Sequence, residues 1–377
     1  MKGPLLNRSM LQRTLRPLLD GLPGVKHRLA GLDTRLSRWQ HSLAGALPGV
    51  IRPQPRQLTV AVTAACNLRC KACRYGRDFM VGERLSLPVL RDLLDDAKAA
   101  GVNRVRFYGG EPLLHPDLPE AVRHATSLGL DAYLTTNALL LGERIDELHA
   151  AGLRWCTIGF YGVGDLYDEY TQRPGHFERL RASLERVRSR HGSGFPMQLN
   201  YVLIKPTCQV ASLHAAFDFA TTFGLFFHLD LYGYSMPFFT DGPDGDLPFS
   251  EADRPVVQAV GDELVRLKRQ HPQRFPQSLE FVRSVPDWLM QGPGMRVPCD
   301  AYELLWVGAD GSVQLCDVTF PLGNLRKQRL REMLFGATHR QACRDAFQLK
   351  CPNCTCKADS RIRKHAASLR RYGSSAS

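Results

Sequence analysis

From residue 58 onward the chain alternates strand-like and helix-like stretches six times, and few architectures accept that rhythm. "LTVAVT" is a strand-like run; "SLPVLRDLLDDAKAAG" opens with Ser86 as an N-cap and Pro88 in its first turn, and stops at Gly101. "RVRFYGGEP" with "DLPEAVRHATSLG" forms the second unit, and "DAYLTTN" with "GERIDELHAAG" the third. "WCTIGFYG" precedes "HFERLRASLERVRSRHG", "MQLNYVLI" precedes "SLHAAFDFATTFG", and "FHLDLYGY" starts the last. Such alternation calls for parallel strands joined by right-handed crossovers. Six units are too few for a closed eightfold barrel. The expectation is an α/β fold, a partial (β/α)6 TIM-type barrel over 58–240, with its site at the C-terminal strand ends.

The flanks read differently. Residues 1–57 suggest a basic, amphipathic helical extension, with Leu11, Leu15, Leu18 and Leu19 at helical spacing, ending in the stiff pair Pro53 and Pro55. A Pro/Gly/Asp loop opens a linker over 241–297 with two helices, "EADRPVVQAVGDELVRLKRQ" and "LEFVRSVPDWLMQ". Beyond Pro298, "ELLWVGADGSVQLC" reads as a hairpin with a tight primed turn at Asp310-Gly311, and "LRKQRLREMLFG" as a last helix. We expect a small α+β cysteine-rich domain over 298–360 and a basic tail over 361–377.

Charge and cysteine usage narrow the class. The chain carries +12, but residues 1–57 hold +8 and residues 350–377 hold +6, leaving the body at −2. No apolar run approaches a membrane span and no export signal stands at the N-terminus, so a cytoplasmic location is expected. Seven of the eleven cysteines fall in two groups, 66–73 and 343–356. Clustered thiols without an export signal read as metal ligands rather than disulfides.

Cys66, Cys70 and Cys73 stand at C-x3-C-x2-C with no fourth ligand nearby; His115, the nearest histidine, lies in another unit. Structural zinc wants four ligands. Three thiolates can hold three irons of a [4Fe–4S] cubane and leave the fourth iron open.

"CNLRCKAC" after the first strand, "GGEP" after the second, "TTNALLL" after the third and the segment 157–180 together resemble the radical SAM superfamily, over roughly residues 58–235. The resemblance implies that the open iron binds S-adenosylmethionine, whose reductive cleavage gives a 5′-deoxyadenosyl radical that abstracts a substrate hydrogen. Gly109, Gly110, Glu111 and Pro112 would then lie against the methionyl amino group. Two positions depart from the family's pattern: Ala72 stands where an aromatic usually precedes the third cysteine, and Gly159 where a ribose-facing Ser or Asp is common. Tyr75 can substitute for the former, though an exposed loop tyrosine is its plainer reading. Asn137 and Asn200, at other strand ends, can substitute for the latter, though such residues also serve as ordinary turn and cap groups.

Cys299, Gly311 and Cys316, with the later "CPNCTC" (Cys351, Cys354, Cys356), resemble the SPASM extension or its shorter twitch form. The truncated terminal run implies one auxiliary [4Fe–4S] cluster on Cys299, Cys316, Cys351 and Cys354, with Cys356 or Cys343 as replacements. Spacing alone also fits a structural zinc; the accompanying core favours iron–sulfur. Cys156 and Cys208 read as buried structural thiols.

The resemblance implies a peptide or small-molecule substrate to be oxidised, cross-linked or otherwise modified, and a flavodoxin- or ferredoxin-type electron donor. The basic, Leu-rich segment 1–50 with Trp39 either covers the open side of the barrel, the favoured reading, or lies on a membrane face, which would suit a lipid or isoprenoid. A zinc-knuckle nucleic-acid-binding protein would use the same cysteines and basic ends. It leaves the β/α alternation and "GGEP" without a purpose, so nucleic acid is not expected as a partner. No general acid or base stands out.

Overall fold

The computed structural model describes residues 36–373 apart from 76, 234, 240–246 and 318. The leucine pattern at 11–19 and most of the expected N-terminal extension lie outside the described residues. So do residues 374–377 of the expected tail.

Six parallel strands follow one another in space in chain order: β1 (Gln57–Thr63), β2 (Arg104–Gly109), β3 (Asp131–Thr136), β4 (Cys156–Phe160), β5 (Met197–Leu203) and β6 (Phe226–Leu231). Helices Leu87–Ala99, Leu118–Ser127, Leu141–Ala150, His176–His191 and Val210–Thr222 supply the crossovers. The curved sheet has two unlike faces because strand side chains alternate. Val60, Phe107, Leu134, Ile158, Leu199 and Phe227 are fully buried beneath the helices. Their neighbours Arg106, Thr135, Gln198, Asn200 and His228 face the concave side and keep partial exposure. The concave side is polar along β3–β6, whereas on β1, β2 and β7 Ala61, Tyr108 and Trp306 pack into a buried cluster with Tyr75 and Phe238.

The sheet is larger than the six-strand expectation. β7 (Leu304–Val307) adds in parallel to β1, with Gln57 opposite Leu304 and Thr59 opposite Trp306, and β8 (Ser312–Gln314) and β9 (Pro321–Asn324) continue it antiparallel. The cysteine-rich segment is thereby attached to the barrel's first strand as a nine-stranded sheet. Its hairpin turns differently from the primed turn expected. Gly311 N–H donates to the Gly308 carbonyl at 3.0 Å, and of residues 308–311 just Gly311 has positive φ, at +81°. A primed two-residue turn needs positive φ at Asp310 as well. The last expected helix shortens to Leu330–Met333, since Leu325 N–H is tied to the Gly311 carbonyl at 2.7 Å, and a further helix spans Ala337–Phe347.

Helices Arg254–Gln270 and Leu279–Gln291 match their expectation and touch where a Cβ at Gly261 would meet Pro286 Cγ at 2.4 Å. The basic segment from 361 is no loose tail. Helices Ala358–Lys364 and Ala366–Gly373 pack on Leu279–Gln291, and Lys364 reaches Asp300 at 2.7 Å and Glu303 at 3.0 Å. Arg361 is wholly buried. It donates to the carbonyls of Val297 and Cys354 and to Asn353 Oδ1, and lies 5.0 Å from the Trp288 ring.

A planar fork serving three acceptors has no ordinary replacement. Arg361→Leu is expected to lower stability by about 3 kcal/mol or more, because three buried acceptors lose their donor. Denaturant unfolding measures this. Arg361→Lys recovers less than half of the loss.

Candidate functional site

The loop after β1 carries Cys66, Cys70 and Cys73 into an apolar wall made by Leu68, Ala72, Tyr161, Tyr170, Ile204 and Tyr232. It is pinned from below: Arg69 N–H donates to Thr171 O, Lys71 N–H to Tyr170 O at 2.8 Å, and Cys73 bridges Phe239. Ala72 takes a left-handed φ of +58°, which folds the loop back between the second and third thiols. Leu68 N–H donates to Cys66 Sγ at 3.4 Å. Burial raises the pKa of Cys66 to about 12 and of Cys73 to about 11, and drives that of Cys70 well above its ordinary value. Three thiols desolvated together, close enough to raise one another, are poor company unless a cation offsets their charge. The donor set, sulfur alone with no carboxylate or imidazole, fits an iron–sulfur cluster. Among the described residues no three or more His, Cys, Asp or Glu side chains close in on a single ion.

"GGEP" is fastened to this loop through main chain. Gly110 N–H donates to Thr63 O at 2.9 Å and Glu111 N–H to Ala65 O at 2.7 Å. A Cβ at Gly109 would stand 2.2 Å from Thr63 O, and one at Gly110 2.3 Å from Ala65 O. The glycines are therefore required first by the contact of two loops. Pro112 starts a short turn, Pro112–Leu114, whose first two residues are buried. Glu111 is fully buried, and its carboxylate accepts from Leu113 N–H (2.9 Å), Thr136 Oγ1 (2.7 Å) and Asn137 N–H (2.8 Å). Asn137 in turn donates from Nδ2 to Asn67 Oδ1 at 2.7 Å. One carboxylate thus ties the ends of β2 and β3, and through Asn137 the cysteine loop. The carboxylate expected to meet an ammonium group has its oxygens turned to protein donors.

The other expected cofactor contacts divide. Tyr75 is not an exposed loop residue: it is 4% exposed, against Phe79 at 5.1 Å, Phe238 at 5.4 Å and Tyr108 at 6.3 Å. Its place is in the aromatic wall near Trp306, so burial answers the plainer reading. Gly159 leaves space for the Tyr161 hydroxyl, which would be 3.0 Å from a Cβ there, and Tyr161 stacks on Tyr170 at 4.2 Å. Asn200 sits opposite Gly159 across β4–β5 and accepts from Gln198 at 2.8 Å. Asn137 is beside the cysteine loop, whereas Gly159 and Asn200 belong to the lumen wall.

The second thiol group gathers as its spacing suggests. Cys299, Cys316, Cys351, Cys354 and Cys356 line one small pocket, with Phe320, Asn353 and Lys357. Cys343 is buried but absent from that lining, packed near Cys299 and Phe347. The hydrogen bond between Cys354 and Cys356 lowers the pKa of Cys354 and, with burial, raises that of Cys356. Cys356 donates to Asp317 Oδ2 at 3.6 Å. Cys156 and Cys208 are fully buried.

Sequence reasoning missed the lumen itself. Arg106, Tyr133, Thr157, His228 and Asp317 attract no notice in isolated strands, and only the alternation of faces, applied strand by strand, would have gathered the first four.

Residues 60–206 match the family model described as the radical SAM superfamily, and residues 299–357 one described as an iron–sulfur cluster-binding domain, SPASM. The chain is 28% identical over 341 residues to the AdoMet-dependent heme synthase of Methanosarcina barkeri, covering 83% of this chain and 93% of that protein. It is 36% identical over 163 residues to GTP 3′,8-cyclase 1 of Mycobacterium tuberculosis, and 34% over 154 residues to the PqqA peptide cyclase of Xanthomonas campestris. These two matches span under half of the relatives' length, 45% and 40%. Among solved structures, native anSMEcpe with bound AdoMet aligns at TM-score 0.61 and 14% identity over 84% of this chain and 96% of that one. Streptococcus suis SuiB aligns at 0.58 and 16% over 77% and 67%. At such identity the likeness is one of fold.

The folded Glu111 carboxyl has its pKa raised by burial from 4.5 to about 7, against the pull of its three donors. Between those values the folded chain binds a proton that the unfolded chain has released. Stability therefore falls as pH rises through that window and stays level above it. Relative to Glu111→Gln, the metal-free chain is expected to lose on the order of 3 kcal/mol from pH 4.5 to 7. Equal pH slopes in thermal unfolding of the two proteins contradict this.

Proposed function

Since the chain belongs to the radical SAM superfamily and carries a C-terminal SPASM domain, with a [4Fe–4S] cluster, S-adenosylmethionine and auxiliary iron–sulfur as its cofactors, we propose that it oxidises an organic substrate held in the barrel lumen. When bound, these cofactors supply a one-electron cleavage of the sulfonium and a hydrogen-atom abstraction from substrate. The observation that carries the reading is the joining of the three-thiol loop, "GGEP" and the end of β3 on the rim of an open, polar lumen.

Each group of residues has a task. Cys66, Cys70 and Cys73 hold the cluster and leave one iron to the cofactor. The main chain at Gly109 and Gly110, with Asn137, presents polar groups to the cofactor's methionyl end, and Glu111 keeps them in place from behind. The wall of Tyr161, Tyr170 and Tyr232 keeps water from the reacting region. Cys299, Cys316, Cys351 and Cys354 hold one auxiliary cluster. Cys356, fifth in that pocket, is hydrogen-bonded to Asp317. A ferredoxin- or flavodoxin-type protein would supply the electron that the chemistry consumes.

The substrate class we favour is a small organic molecule. The likeness to heme synthase, which runs nearly the full length of both proteins, supports it; the peptide-cyclase likeness is confined to part of each chain. A peptide remains the second reading, favoured by the fold shared with SuiB, which has been solved with its precursor peptide SuiA.

Anaerobic reconstitution is expected to give about eight irons per chain and 5′-deoxyadenosine on reduction with S-adenosylmethionine. The triple variant C66A/C70A/C73A keeps about four irons and releases none. Zinc in place of iron, or undiminished release by the triple variant, defeats the proposal.

A further inference from the structure

The lumen holds a positive charge that no ion pair among the described residues neutralises. Arg106 points to the concave side from the middle of β2, between Thr59 on β1 and Tyr133 on β3. Its Nε donates to Thr135 Oγ1 at 2.8 Å, which orients the guanidinium, and Thr135 is itself held by Thr157 at 2.8 Å. The Tyr108 ring lies 4.9 Å from the guanidinium carbon and fixes its plane. The two terminal nitrogens meet no hydrogen-bonding or ion-pairing partner among the described residues. By contrast Arg104, one layer deeper, is paired with Asp131 at 2.8 Å and closes the floor with the stacked Tyr133 and Trp155.

Other polar atoms around the lumen are also unpaired. His228 Nδ1 on β6, opposite Asn200, and Gln314 Oε1 on β8, opposite Trp306, are buried without a partner. Buried polar groups ordinarily find partners, so unmet ones converging on an open space indicate a ligand that meets them. Both an acceptor-seeking fork and acceptors or tautomeric nitrogens are present, as an acid with further polar atoms would require.

We propose that Arg106 is a substrate-binding residue: its terminal nitrogens take a carboxylate arm of the molecule that reacts at the rim. The inference rests on the radical SAM reading for the identity of the reacting end. Gly109 at the rim lies three residue steps beyond Arg106, about 10 Å along a strand, so an arm of several bonds spans the two. The charge balance selects a carboxylate over a phosphate. Arg106 is the cation the described residues place here, and Asp230 and Asp317 contribute negative potential to the same space. A singly charged planar acid matches a single planar fork bidentately, whereas a dianion is disfavoured.

The test uses the wild-type holoenzyme and the arginine reagent phenylglyoxal, with peptide mass spectrometry reading modification of Arg106. Glutarate is expected to slow modification of Arg106 about threefold or more, as occupancy of the site rises. Sodium chloride at matched ionic strength, neutral glutaramide and phosphate leave the rate unchanged. Equal protection by chloride, protection by phosphate as strong as by glutarate, or no modification of Arg106 in any condition overturns the proposal. Protection by S-adenosylmethionine alone also overturns it, because the fork would then belong to the cofactor's carboxylate. Release of 5′-deoxyadenosine, followed in the same preparation, reads the proposed function separately: glutarate protection without release retains the acid site and discards the radical reading.

Discussion

A buried carboxylate holds the upper rim of the barrel together. Glu111 takes hydrogen bonds from the turn that follows it and from the end of β3, and its own main chain is tied to the cysteine loop. A carboxyl in so dry a place is costly to ionise, and three donors only partly offset that cost. The cost is tolerable because the geometry gained is shared by three loops. Without those bonds each loop would have to be ordered alone, and short strand-end loops carry little apolar surface for the purpose.

The lower and outer parts of the molecule are secured by different means. The helices bury the apolar face of the six parallel strands, which leaves much of the concave face free to be polar. At the far side the C-terminal segment is bound to the barrel by the β7–β1 ladder and by Arg361, whose fork gathers the main chain around Cys354 and Val297. The second thiol pocket therefore hangs from the same sheet as the first loop. Its orientation relative to the lumen follows from a strand register rather than from a flexible hinge.

How much was visible beforehand depended on the range of the interactions. The six units could be read because each is local: a β-branched run, a capped helix, a glycine stop. The cysteine loop and "GGEP" could be read because their chemistry is carried by a few adjacent residues. Tyr75 was misjudged, since nothing near Cys73 tells that Phe238, far along the chain, will cover it. The basic segment from 361 reads as a tail, because a run of Arg and Lys does not disclose that Asp300, Glu303 and Asn353 will meet it. The hairpin turn was misassigned for a more local reason: Asp-Gly suits several turns, and the flanking bonds of Gly308 and Ser312 selected the one with a single left-handed residue.

By itself the sequence determined the parallel α/β architecture, the three-thiol loop at a strand end and the gathering of a second set of thiols. Periodicity and short motifs act within a few residues, so they survive reading one segment at a time. Only the tertiary structure decided that the hairpin extends the barrel's own sheet, that Glu111 faces inward as a brace, and that Arg106 looks into a lumen with its fork unmet. Those outcomes depend on which strands become neighbours and which face each turns inward, and such choices are made by contacts between residues far apart in the chain.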